Sequence, residues 1–264
     1  MKKVFIITLY IILGIHLASA QFTVVPDSNF EAYLEDNGMG DGISGNSLVL
    51  TANIENVTTL TLYGNMNISD LSGIEDFTAL ETFYCSLNPV TQVNLSQNVN
   101  LSHVGFAASN LTTLDLSNNH KLEYAGGMHN LNLHTVTINS PFITEIEFWE
   151  NSIVHIDVTQ CPALERMDVH YNVNLSSLDI SNNPNLKILL CGENNLNTLD
   201  TSNNLLLEFL SIGNNPNLTD LDLSQNPLLR NLSAGHNNSM TFIDIRNGNN
   251  ENMDFFSKIG RAHV

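Results

Sequence analysis

Leu111-Thr-Thr-Leu-Asp-Leu-Ser-Asn-Asn119 is the clearest copy of a pattern that recurs along the chain. It fits the template L-x-x-L-x-L-x-x-N, in which the alternating L-x-L core places two apolar side chains on one face of a short strand. The closing asparagine suits a corner, because its side chain can hydrogen-bond to the backbone of a turn. The template therefore predicts one short strand and one turn per copy.

The template restarts every ten or eleven residues, at Leu80, Val90, Leu101, Leu111, Leu122, Leu133, Ile143, Ile153, Leu164, Leu175, Leu186, Leu196, Leu207, Leu218, Leu229 and Met240. Regular copies such as 175–183 alternate with looser copies such as 164–172, so the full period is 20 to 22 residues. Each coil can bury its apolar face only against its neighbours. The pattern therefore predicts a solenoid whose ends require caps.

These repeats resemble those of leucine-rich repeat proteins, and most of all the Asn-rich, short-period repeats of secreted and surface proteins of Bacteroidota-type bacteria. The resemblance covers roughly 200 residues and is specific because the motif recurs. It implies a repeat solenoid, mostly β, with coils of about 21 residues, short parallel strands on two faces and an N-terminal helical cap. It also implies a role in recognition.

Both ends of the chain predict segments outside the solenoid. Two lysines, an apolar run over residues 4–17 and the small residues 18–20 are typical of a secretory signal peptide, cleaved near Ala20. The apolar run is shorter than the ~20 residues that span a bilayer, so we expect a secreted or cell-surface protein with no integral membrane span. Residues 21–56 should form the cap, and residues 57–257 the solenoid.

Residues 258–264 are predicted to be a sequencing artefact. The sequence Ile259-Gly-Arg-Ala-His-Val264 is a one-frame translation of a common sequencing adapter. We therefore expect a C-terminal truncation, with the natural reading frame continuing past Ser257 in a different sequence. Resequencing the locus tests this, since a genuine stop after Val264 contradicts it.

Composition excludes several classes of protein. Hydrophobic residues make up 42% of the chain, too many for a disordered acidic tail. With 9 basic and 27 acidic residues the net charge is −18, and without residues 1–20 and 258–264 it is −22, from 5 basic and 27 acidic residues. Such acidity disfavours nucleic acid and anionic membranes as partners. The 39 asparagines fit a corner residue that recurs in every coil.

The cap should contain a short helix near residues 28–36. Ser28 and Glu31 have the spacing of a capping box, and Asn37-Gly38 is a stop signal. The Gly-rich loop that follows lacks the alternating carboxylates of a calcium loop, which favours a simple cap loop.

The three cysteines predict no intrachain disulfide. Cys85 and Cys191 occupy inward positions five coils apart, about 24 Å at ~4.8 Å per coil, whereas a disulfide needs Cα atoms within about 7 Å. Cys161 replaces a corner asparagine in a different column. All three should be small buried side chains.

The outward residues of the looser copies vary from coil to coil, and they include residue types enriched at interfaces. The interaction-face candidates are Tyr84, Tyr124, Glu145, Glu147, Trp149, Arg166, Asp168, His170, Leu190 and Phe209. Stacking should pair Glu145 with Arg166, Glu147 with Asp168, and Trp149 with His170. The alternative is that the aromatic residues only cover a poorly packed convex side.

The outward residues of the regular copies are mostly aspartate. Asp179, Asp200, Asp222 and Asp244 should stand one above another, repelling by about 1 kcal/mol per pair at high dielectric. They either satisfy the turns or bind a divalent cation such as Ca²⁺ weakly. No other cofactor is expected.

The pattern favours a non-enzymatic recognition or adhesion module whose ligand is a protein or a glycan. The chain has no nucleophile elbow, phosphate-binding loop or His-x-x-x-His pair. Glu147 beside Asp168 is the feature that most favours an enzyme, because two carboxylates about 5 Å apart suit a retaining glycosidase. The alternatives are a carbohydrate-binding surface module and a non-catalytic part of a longer secreted enzyme.

Overall fold

The structure, a computed structural model, describes residues 21–248, residue 251 and the backbone of residues 254 and 255. The expected signal peptide and the expected adapter-derived tail lie outside the described residues. The elements are β1 (Phe22–Val24), α1 (Ser28–Asp36), β2 (Leu48–Leu50), α2 (Thr51–Ile54), β3 (Thr59–Tyr63), a 3₁₀ turn (Ile74–Asp76), β4 (Thr82–Ser86), β5 (His103–Gly105), β6 (Thr113–Leu116), β7 (Tyr124–Gly126), β8 (Thr135–Ile138), β9 (Glu145–Glu147), β10 (His155–Asp157), β11 (Arg166–Asp168), β12 (Ile188–Leu190), β13 (Phe209–Ser211), β14 (Asp220–Asp222), β15 (Asn231–Ser233), β16 (Phe242–Asp244) and β17 (Asp254–Phe255).

A long parallel sheet runs along the molecule. Among the described residues it has ten strands, in the order β17-β15-β13-β12-β11-β9-β7-β5-β4-β3. From β4 to β15, each of these strands is the core of a looser copy. Equivalent residues pair from coil to coil, as Met167 does with Ile146 and Leu189. The chain is thus a β-solenoid of about 9 turns with coils of about 22 residues, which confirms the predicted fold class.

The regular copies form an interrupted second face. In the described part of the chain, β6, β8 and β10 make one parallel sheet, and β14 and β16 make another. The regular copies at 175–183 and 196–204 lie between these sheets and contribute no strand to either. Parallel strands on two faces are therefore confirmed, but only the looser copies build a continuous sheet.

Corner asparagines after the long-sheet strands connect neighbouring coils. The Asn172 amide donates to the carbonyl oxygens of Val169 (2.9 Å) and Phe148 (2.8 Å), and its Oδ1 accepts from the Ile153 N–H (3.0 Å). The same arrangement recurs at Asn130, Asn151, Asn194, Asn215 and Asn237. The predicted corner ladder is thus confirmed on this side, with both ends of each amide bonded.

The opposite corner carries a second, less complete ladder. Asn204 donates from Nδ2 to the carbonyl oxygens of Ile180 (3.0 Å) and Asn183 (2.9 Å). Ser140 and Cys161 interrupt this column of asparagines. Within the described residues, the buried Oδ1 atom has no hydrogen-bond partner at Asn98, Asn119, Asn183 and Asn204. The two faces of the coil therefore differ in how well their corners are bonded.

The core is a stack of apolar side chains between the two faces. Leu164, Met167 and Leu175 are fully buried in one coil. Cys85, Cys161 and Cys191 are also buried, with free thiols, as predicted. Burial raises the pKa of Cys85 to about 12, so the thiol stays protonated and packs as a small apolar group.

The cap helix α1 covers the first coil, but its N-terminus differs from the prediction. Its N-cap is Asp27, whose Oδ1 accepts from the N–H groups of Asn29 (2.9 Å) and Phe30 (3.0 Å). The other oxygen, Oδ2, accepts from the N–H of Ser69 (2.8 Å). The Asp27 carboxylate therefore caps the first turn of the helix and also bonds the helix to the first coil.

The expected capping box between Ser28 and Glu31 is wrong. Glu31 is 2% exposed, and its Oε1 accepts from the N–H groups of Gly45 (2.8 Å) and Asn46 (3.2 Å) instead. Aspartate is as good an N-cap as serine, so Asp27 could take that role while Glu31 anchors the cap loop. The helix carboxylate of Glu31 thus binds backbone N–H groups of the cap loop.

Candidate functional site

The candidate site is the sheet face, defined as the outward side chains of the long sheet together with the two residues that follow each strand. All ten predicted interaction residues lie on it: Tyr84, Tyr124, Glu145, Glu147, Trp149, Arg166, Asp168, His170, Leu190 and Phe209. Those on β7, β9, β11 and the turns after them contact one another in a connected group. Tyr84, Leu190 and Phe209 lie on coils to either side of this group.

Arg166 is the hub of the connected group. Its Nε donates to Glu145 Oε1 at 2.9 Å, and its Nη2 lies 3.4 Å from Glu147 Oε1 and 3.3 Å from Asp168 Oδ2. The predicted pairing of Glu145 with Arg166 is confirmed, as is the cross-strand register of Glu147 with Asp168. One guanidinium therefore binds three carboxylates that would otherwise repel one another at the ~4.8 Å strand spacing.

The prediction that the Asp168 side chain points to solvent is wrong. It is 4% exposed, because Arg166 and His170 cover it. The Nδ1 atom and the backbone N–H of His170 both bond to Asp168 Oδ1. With both oxygens engaged, Asp168 does not present a second carboxylate beside Glu147. Glu147 and Asp168 therefore hold the strands and the following turn together, and they do not form the exposed general acid and nucleophile of a glycosidase.

Trp149 stacks between two imidazole rings. Its ring is nearly parallel to that of His170, with centroids 5.5 Å apart and an interplanar angle of 12°. On its other side His129 meets it edge to face at 4.4 Å. The predicted pairing of Trp149 with His170 is thus confirmed, and the indole is held by neighbours from two adjacent coils.

Three residues around Trp149 were not among the predicted site residues. His129, Glu150 and Tyr171 each directly precede a corner asparagine, and each has a left-handed backbone, with φ between 56° and 58°. The His129 Nδ1 lies 2.6 Å from Glu150 Oε2, and the Tyr171 ring lies 5.1 Å from that of His170. Their shared template position was the available signal, but non-glycine residues in this conformation are uncommon.

Tyr124 lies along the face beside this group. Its hydroxyl donates to Glu147 Oε2 at 3.0 Å, and its ring lies over Gly126, where any Cβ would clash with it. Burial, and then the negative charge of Glu147, raise the pKa of Tyr124. The phenol therefore keeps its proton and remains a hydrogen-bond donor.

The aspartates of the regular copies close turns. Asp179 Oδ1 accepts from the N–H of Ser181 (3.0 Å), and Asp200 Oδ1 accepts from that of Ser202 (2.9 Å). The same bond to the residue two positions on occurs at Asn94, Asp115, Asp157, Asp222 and Asp244. Asp244 is also buried, contrary to the expected exposure, because Arg246 pairs with it.

This bonding favours the turn role for the aspartate column. Within the described residues, no group of three or more His, Cys, Asp or Glu side chains is placed to hold a metal ion. Weak Ca²⁺ binding at Asp179, Asp200, Asp222 and Asp244 stays a prediction. A melting temperature that is equal in Ca²⁺ and in chelator would contradict it.

The double variant Asp179→Asn with Asp200→Asn should lose less thermal stability than the wild type on acidification. Hydrogen bonds from Ser181 and Ser202 lower the pKa of these two carboxyls in the folded chain. Their stabilisation is therefore present above the unfolded pKa of about 3.9 and is lost as the pH falls through the lower folded value. Asparagine keeps the acceptor oxygen without titrating. The melting temperatures of the wild type and the double variant, measured from about pH 5 to pH 2, should converge as the pH falls. Parallel curves for the two proteins would contradict the prediction.

The comparisons with known proteins rest on solved structures. No protein-family model matches the sequence, and no curated protein sequence matches it. An internalin C2 (inlC2) from Listeria monocytogenes aligns with a TM-score of 0.51 at 16% identity, over 85% of this chain and 88% of that chain. This chain has the leucine-rich repeat fold. The LRIM1/APL1C complex aligns with a TM-score of 0.53 at 19% identity, over 75% of this chain and 42% of that one.

The functional domain of InlJ from Listeria monocytogenes, which includes a cysteine ladder, has a TM-score of 0.44 to this leucine-rich repeat chain at 21% identity. The alignment covers 88% of this chain and 66% of the InlJ domain. In the part of the chain that the structure describes, no helix has the length and apolar character needed to cross a membrane.

Proposed function

We propose that this leucine-rich repeat chain is a non-enzymatic recognition or adhesion module that binds a partner protein through the sheet face. The observation that carries the proposal is the connected group around Arg166 and Trp149. It joins Trp, Tyr and Arg side chains, the residue types most enriched at binding hot spots. Strand backbones, the Arg166 ion pairs and the Trp149 stack hold these side chains in place, which reduces the entropy lost on binding.

We further infer that the module acts outside the cell. The charged, apolar and small-residue segments of residues 1–20 support secretion, and the acidity supports a partner other than nucleic acid. Residues 21–56 would then be the cap and residues 57–257 the solenoid. The Asn-rich repeats support a secreted or surface protein of the Bacteroidota type. One similar structure, LRIM1/APL1C, is itself a complex, which agrees with a binding role.

The Trp149→Ala variant tests the proposal. Genomic fragments of the source organism displayed on phage are selected on the wild-type chain, and each enriched clone is then measured against the variant. We expect affinities to fall about tenfold or more, because a central Trp anchor is lost. Circular dichroism checks that the variant is folded.

Phe142→Ala is the matched control, because Phe142 is an aromatic residue that is 60% exposed and lies in a turn outside the sheet face. Clones should bind this control as tightly as the wild type. Equal affinity for Trp149→Ala and the wild type would contradict the proposal. A glycan array probed with the same proteins tests the carbohydrate alternative, which would be supported by glycan binding that Trp149→Ala abolishes.

A further inference from the structure

The coils that carry β7, β9 and β11 have an excess of negative charge on the sheet face and at its edges. We call this region the central patch, and its charged residues are Glu145, Glu147, Arg166 and Asp168 on the sheet face, with Glu123 just before β7 and Glu150 in the turn after β9. The patch thus has five carboxylates and one guanidinium, which binds three of them. Within the described residues, Glu123 has no ion-pair partner, and the ion-pair partner of the Glu150 carboxylate is the imidazole of His129.

Two ion pairs lie farther along the same sheet edge. Glu165 pairs with Lys187 at 2.8 Å, and Glu208 pairs with Arg230 on the next coil. Both pairs use the position just before the strand, which Glu123 occupies two coils earlier. Glu81 before β4 and Glu193 after β12 also have no ion pair among the described residues, so the negative charge is densest in the central patch but is not confined to it.

Aromatic rings lie within this excess charge. Trp149 stands between the imidazoles of His129 and His170, and Tyr171 contacts His170. Because these imidazoles already contact the indole, the carboxylates around it are the feature of the patch that favours a cation.

We propose that the central patch binds a basic, extended segment of a partner protein, with arginine or lysine side chains placed against Trp149, Glu145 and Glu147. This proposal rests on the proposed recognition function and adds the chemistry of the partner. Charge complementarity favours this occupant. A cationic side chain would offset the repulsion among carboxylates that Arg166 only partly neutralises, whereas an acidic segment would increase it.

The test uses an alternating Arg-Gly peptide of about six residues, long enough at ~3.3 Å per residue to cross the patch. Calorimetry measures affinity, and the fluorescence of Trp149, the one tryptophan in the sequence, reports binding at the patch. We expect saturable binding with a fluorescence change, and about tenfold weaker binding to Glu145→Gln with Glu147→Gln. A peptide with glutamate in place of arginine should not bind.

The variant Asp179→Asn with Asp200→Asn is the matched control, because it also removes two negative charges, but from the other face of the solenoid. It should bind the Arg-Gly peptide as the wild type does. The proposal is overturned if the peptide does not bind, if it binds without changing Trp149 fluorescence, or if both double variants weaken binding equally.

This outcome is separable from that of the proposed function. Displayed clones that need Trp149 but carry no basic segment would leave recognition standing and overturn the basic partner. Clones that bind independently of Trp149 would overturn the recognition proposal as well. Glycan binding at Trp149, with no peptide binding, would likewise replace the basic segment as the occupant.

Discussion

Replacing Asn172 by alanine should lower the free energy of unfolding by about 4 kcal/mol, measured by urea denaturation. The side chain is fully buried, and it bonds to the carbonyl oxygens of Val169 and Phe148 and to the N–H of Ile153. Alanine leaves these three backbone groups in the core without a partner, and each such loss costs about 1 to 3 kcal/mol. The bonds join adjacent coils, so the loss should weaken the stacking of the solenoid.

Asn185→Ala provides the control within the same coil. Asn185 is exposed, and its amide donates one hydrogen bond, to the carbonyl oxygen of Pro162 at 3.1 Å. Water can replace that partner, so we expect a change of no more than about 0.5 kcal/mol. If Asn172→Ala and Asn185→Ala had equal effects, the corner ladder would not be a main source of stability.

The fold was predictable because the sequence repeats. Once L-x-L is assigned to one coil, stacking fixes the register of all the others, so the alignment of Met167 with Ile146 followed from spacing alone. The sequence did not indicate which copies form the continuous sheet, because both kinds contain L-x-L. The two kinds of copy also differ at their corners. Those after looser strands bond both ends of each asparagine amide, as at Asn172, whereas the other corner leaves the Oδ1 of Asn204 without a partner among the described residues.

The site was predictable only in part. Cross-coil pairs such as Trp149 with His170 follow directly from the register. The burial of Asp168 does not, because it depends on how the long side chain of Arg166 folds over its neighbours. Glu150 was missed for a different reason. Its side chain joins the site because its backbone is left-handed, and residue type does not indicate that conformation outside glycine and asparagine.

Arg166→Ala should cost about 3 kcal/mol of unfolding free energy. The substitution leaves the buried carboxylate of Asp168 without its guanidinium, and it leaves Glu145 and Glu147 to repel each other. Breaking a buried charge pair costs far more than breaking an exposed one, because the remaining charge cannot be solvated. Arg230→Ala is the control, because Arg230 pairs with Glu208 at the exposed edge of the same sheet. There we expect a cost of about 0 to 1 kcal/mol.

A second substitution identifies the source of the cost. Adding Asp168→Asn to Arg166→Ala removes the buried charge that alanine leaves without its guanidinium, so the two effects should be non-additive by about 1 to 2 kcal/mol. Additive effects, or equal costs for Arg166→Ala and Arg230→Ala, would show that the guanidinium does not stabilise a buried carboxylate. Since Arg166→Ala should loosen β9 and β11 themselves, its effect on binding would mix loss of contact with loss of structure. Trp149→Ala and the glutamine variants of Glu145 and Glu147 are therefore the variants that test recognition.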